Sequence, residues 1–92
     1  MRDKELAELL KLGITSSSFK ILCHITFRGR PFKPKELAGE LGMKPATVRA
    51  RISELYSRDL LTLDSRGYSS NVKAYDILMR FKNDSGKGMV KN

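Results

Sequence analysis

The side chain best placed for chemistry with a partner is Arg49, in the run PATVRARISELYS. If a helix starts at Pro45, Val48, Ile52 and Leu55 fall at i, i+4 and i+7 and form one apolar stripe. The opposite side then carries Ala46, Arg49, Ala50, Ser53 and Ser57. A face that is merely solvated more often fills with Glu and Lys; here small and hydroxylic residues surround a single arginine. Small residues allow close approach to a surface, and a guanidinium bonds a guanine edge or a phosphate in bidentate fashion. Such a face suits the major groove of duplex DNA.

Other reactive types give less. Cys23 stands beside His24, but neighbours on a helix point about 100° apart, so they do not form a nucleophile and base. A core thiol and a surface or satisfied histidine are expected instead. One Cys and one His exclude an internal disulfide and a structural zinc site of the usual ligands. No glycine-rich phosphate loop, nucleophile motif or His/Cys/carboxylate cluster is present, so neither enzyme activity nor a cofactor is expected.

Composition agrees with a polyanionic partner. The chain has 92 residues and a formal charge of +8. This is enough for one small domain, and the charge favours nucleic acid first and an acidic membrane surface second. Residues 28–82 hold 12 basic and 6 acidic residues, against 4 and 3 before them and 2 and 1 after. The excess therefore lies around Arg49. No apolar run approaches the roughly 18 residues of a membrane span, and no secretory leader is recognisable. A cytoplasmic or nucleoid-associated protein is expected.

These residues must be positioned by the surrounding elements. Glu36 to Leu61, ELAGELGMKPATVRARISELYSRDLL, reads as helix, turn and helix. Leu37, Ala38 and Leu41 recur at helical spacing, with Pro34 near the start. Gly42 should end this helix in a left-handed conformation, Lys44 should be the next N-cap and Pro45 the first helical residue. Lysine is a poor cap, which fits N–H groups that face an anion. Ahead of this unit, residues 3–12 place Leu6, Leu9 and Leu10 on one face of a short helix ended by Gly13. That helix packs on its own domain or on a second copy as a homodimer contact. Thr15 and Ser16 to Ser18 offer caps for a second helix reaching Phe27, whose stripe is Phe19, Leu22, Cys23 and Thr26, widened by Ile21 and Ile25.

Arg28 to Lys35, RGRPFKPK, is expected as a basic loop, with Arg30, Lys33 and Lys35 placed to touch the sugar-phosphate backbone and Phe32 plugging the core. Arg51 either reaches backbone or pairs with an acid such as Glu54. Leu60, Leu61 and Leu63 enter a strand. The pattern over 72–81 is taken as its partner, because Tyr75, Ile77, Met79 and Phe81 alternate, with a hairpin tip near Arg66 to Asn71. A C-terminal helix competes, since Ala74, Ile77, Leu78 and Phe81 meet i, i+3, i+4 and i+7. The segments are thus an N-terminal helix (1–13), a main domain (14–82) and a mobile tail (83–92).

In this order the elements resemble the winged helix-turn-helix family, most specifically in ELAGELGMKPATVRARISELYSRDLL, with coverage of about residues 15 to 79. The resemblance implies an α+β, mostly helical fold with a three-helix core and a β-hairpin wing, plus the extra N-terminal helix. It also implies sequence-selective binding of double-stranded DNA by a small transcriptional regulator, with the helix at 45–59 in the major groove. Lys44, Ala46, Thr47, Arg49, Ala50 and Ser53 become the groove-facing set, and Arg66, Ser69, Asn71 and Lys73 the wing contacts. The family more often has Ser or Thr where this chain has Lys44, and no sensor domain accompanies the unit. An alternative is a winged-helix protein-interaction module in a larger assembly, which would favour an apolar face. RNA or single-stranded DNA binding ranks third, for want of exposed aromatics beyond Tyr68 and Tyr75.

Overall fold

The computed structural model describes the backbone of residues 2–90 and the side chains of residues 3–82. Its order is α1 (Arg2–Lys11), α2 (Ser17–Arg28), α3 (Pro34–Leu41), α4 (Pro45–Ser57), β1 (Leu61–Asp64), β2 (Gly67–Ser70) and α5 (Ala74–Val90). The fold is α+β and mostly helical, with five helices and one antiparallel two-stranded hairpin among the described residues.

Helix α2 is the centre, packing against α4, β2 and α5. Ser16 starts it by accepting the Phe19 N–H at 3.1 Å, and Gly29 ends it at φ +68°. Phe19, Ile21, Leu22 and Ile25 are buried, whereas Cys23 and Thr26 are half-exposed. The buried stripe is therefore rotated toward Ile21 and Ile25 from the expected one. Phe32 is fully buried under its loop, as expected. It does more than plug: its N–H and C=O both bond Tyr68, at 2.9 and 2.7 Å, so the loop lends β2 a one-residue third strand.

The helix-turn-helix geometry follows the sequence closely. Gly42 takes φ +63° after α3, and the Met43 N–H returns to the Ala38 carbonyl at 3.1 Å. Lys44 is extended at the N-cap of α4, with Pro45 as the first helical residue. Val48, Ile52 and Leu55 are buried, as their spacing requires. The end of α4 is unusual. Asp59 sits at φ +63° where glycine is customary, while the Leu60 N–H reaches the Leu55 carbonyl and the Asp59 N–H reaches Tyr56. This is a Schellman closure, with Leu55 and Leu60 both buried.

In place of the strand expected over 72–81, Val72 and Lys73 lead out of the hairpin and residues 74–81 form the first half of α5. The partner of β1 is Gly67–Ser70, paired Leu61 to Ser70 through Asp64 to Gly67, so the hairpin tip is Ser65 and Arg66. Two local signals decide the outcome. The Ser70 hydroxyl accepts the Val72 N–H at 3.1 Å and turns the chain out of the sheet. Asp76 then accepts the Lys73 N–H at 2.9 Å, as the third helical residue does in a capping box. The α5 backbone continues into the segment expected as a tail from residue 83, as far as Val90. A nucleated helix extends at little cost. Residues 91 and 92 of that expected tail lie outside the described residues.

The open question for α1 is answered on one side. Leu9 and Leu12 join the common core, Lys4 pairs with Asp59, and Glu8 meets Arg58 at 3.6 Å. Arg80 of α5 donates to the Leu9 carbonyl at 2.8 Å, an oxygen that the Leu12 N–H also reaches at 3.2 Å, and so ties α5 to the C-terminal turn of α1. Leu10, expected on one face with Leu6 and Leu9, is 60% exposed while Leu9 is buried.

Candidate nucleic-acid interface

Helix α4 holds Ala46, Arg49, Ala50 and Ser53 on its exposed side, with Lys44 exposed at the cap and Thr47 half-buried at the edge. They share a face because the buried stripe of Val48, Ile52 and Leu55 fixes the rotation of the helix against α2 and α3. No acidic side chain stands among them. The one carboxylate of α4, Glu54, is turned away and held by Arg51 at 3.1 Å, Arg58 at 3.4 Å and the Ser18 hydroxyl at 3.2 Å. Arg51 is thus a pairing residue. Arg49 has no ion-pair partner among the described residues.

The first turn of α4 is bare. Lys44 gives no side-chain cap, and the first backbone bond into the helix is from the Val48 N–H to the Lys44 carbonyl at 3.0 Å. At α3 the corresponding position is Lys33, whose N–H reaches the Glu36 carboxylate at 3.4 Å. Lys33 and Lys35 are exposed, and neither has an ion-pair partner among the described residues.

Arg30 and Arg66 differ from these free cations. Arg30 lies 3.8 Å above the Phe32 ring and bonds Glu36 at 2.8 Å and Glu40 at 3.4 Å. Its hydrogen bond holds the Glu36 carboxyl below the usual range, helped by the Lys33 N–H. Glu40 also takes His24 Nε2 at 2.7 Å, which makes His24 a satisfied histidine, as expected. Arg66 bonds Asp64 at 2.9 Å, and the Arg66 N–H reaches the same carboxylate at 2.8 Å. Both contacts hold the Asp64 carboxyl low. Burial pushes the Cys23 thiol up to about 11, far from a reactive thiolate.

Arg30, Arg66 and Ser69 line one groove of about 340 Å³ between the end of α2 and β2. Two residues grouped with them in the sequence lie elsewhere. The Asn71 side chain donates to the Asp59 carbonyl at 2.8 Å and braces the α4 exit, and Lys73 is the N-cap of α5 rather than a hairpin residue. Sequence reasoning also missed the outer hairpin surface of Thr62 and Leu63 and the edge contact of Tyr56 on Tyr68, with centroids 5.9 Å apart, which braces the hairpin against α4.

No protein-family model matches the chain, and no curated protein matches it.

Proposed function

We propose that the chain is a winged helix-turn-helix module that binds double-stranded DNA with sequence selectivity, as a small transcriptional regulator. In this reading α4 enters the major groove and the β1–β2 hairpin lies on the adjacent groove or backbone. The observation that carries it is the outer face of α4: an arginine with no ion pair among the described residues, set among small side chains, with the only carboxylate of the helix held by Arg51 and Arg58. Arg49 takes the base-reading role, Ser53 assists, and Lys44 and Thr47 hold phosphate at the uncapped helix start. Lys33 and Lys35 supply backbone contacts.

Selection from random duplex DNA at two salt concentrations tests the reading. A consensus should emerge, and Arg49→Ala should weaken its binding by about 1–3 kcal/mol and relax the preference at one position. Lys33→Ala should weaken all sequences alike and flatten the salt dependence. Absence of duplex affinity at low salt would reject the proposal in favour of a protein-interaction module.

A further inference from the structure

Seven large apolar side chains stand exposed among the described residues, and four of them lie on α1 and α5: Leu10, Tyr75, Leu78 and Phe81, at 60, 67, 56 and 41% exposure. Tyr75, Leu78, Met79 and Lys82 fall at i, i+3, i+4 and i+7, so they form the outer stripe of α5, opposite the buried Ile77. Beside this stripe is a groove of about 260 Å³ lined by Leu6, Leu9, Leu10, Tyr75 and Met79 together with Asp76 and Arg80. A soluble monomer seldom leaves such a contiguous apolar patch uncovered.

We propose that this α1–α5 face is the contact between two copies of the chain. A two-fold contact needs a surface that is its own complement, with projections and recesses on the same patch. This face has both: Leu10, Tyr75 and Leu78 project, and the groove lies next to them. The charges are self-complementary too. Asp3 is on the same helical line as Leu10, Lys82 is on that of Tyr75, and both are exposed with no ion pair among the described residues. Packing α1 of one copy along α5 of the other sets Asp3 against the partner's Lys82, twice by symmetry. The outer stripe of α5 is on a different helix from the Arg49 face of α4, and α2 packs against both helices. The contact does not rest on the proposed DNA binding.

Sedimentation equilibrium of the full chain without nucleic acid tests it. The wild type should dimerise with a dissociation constant tighter than about 10 µM. Leu78→Glu alters an exposed residue, so its circular dichroism should match the wild type while its dimer weakens at least about tenfold. Lys82→Glu should weaken the dimer, and Asp3→Lys in the same chain should restore it. Arg49→Ala should leave it unchanged, which separates this test from that of DNA binding. A wild type that stays monomeric up to about 1 mM, or a dimer that Leu78→Glu leaves intact, overturns the proposal.

Discussion

Whether a carboxylate already holds an arginine decides how much charge that arginine can offer a polyanion. Arg49 has no ion-pair partner among the described residues, whereas Arg66 and Arg30 are held by Asp64 and by Glu36 with Glu40. Asp64→Asn should therefore strengthen duplex binding and steepen the dependence on log salt by up to about 0.9 if Arg66 then neutralises one phosphate. An unchanged slope in a salt titration would leave Arg66 as a hairpin brace. The same pairs give stability a pH signature. Glu36 and Asp64 are both held low, so their contribution is complete above the ordinary carboxylate range and is lost as pH falls through their depressed values. Urea unfolding from pH 7 to about pH 3 should show a decline that is shallower in the Glu36→Gln, Asp64→Asn variant. The residues expected to carry charge were legible from type alone. Their pairing was not, because Arg30 meets Glu40 across ten positions of loop and helix, a closeness that no local pattern encodes.

At the scale of elements, the helix-turn-helix was readable because its signals are local: glycine at the end of α3, proline at the start of α4 and a stripe of period 3.6 between them. The region after it was not, because residues 72–81 satisfy periods of 2 and 3.6 equally. The balance is tipped by two local bonds, from the Val72 N–H to the Ser70 hydroxyl and from the Lys73 N–H to the buried Asp76 carboxylate. Asp76→Ala removes the acceptor of the Lys73 N–H and should cost about 1.5–3 kcal/mol in urea unfolding, with helical signal lost. The hairpin depends on a close approach instead. Gly67 has φ +131°, and a Cβ there would stand 2.4 Å from the Phe32 carbonyl oxygen. Gly67→Ala should therefore break the Phe32–Tyr68 bridge. Its measurable outcome is a loss of stability of at least about 1–3 kcal/mol together with greater exposure of Tyr68 to quenchers.

For the whole molecule, α1 has two different faces, and this changes how its role can be examined. Its inner face supplies Leu9 and Leu12 to the single core, so truncation of residues 1–12 would unfold the chain rather than only separate two copies. Leu9→Ala should cost about 2–5 kcal/mol, read from the denaturant midpoint, whereas a polar residue at Leu10 should leave that midpoint nearly unchanged at low chain concentration. Amide hydrogen exchange across the molecule gives the uncapped start of α4 a distinct meaning. Pro45 has no N–H, and those of Ala46 and Thr47 have no acceptor among the described residues. In the free protein these two amides should exchange at nearly the rate of an open chain, beside a Val48 amide that is protected. On a bound duplex they should become slow only if phosphate oxygens replace water there, so two amide signals report how deeply α4 is seated.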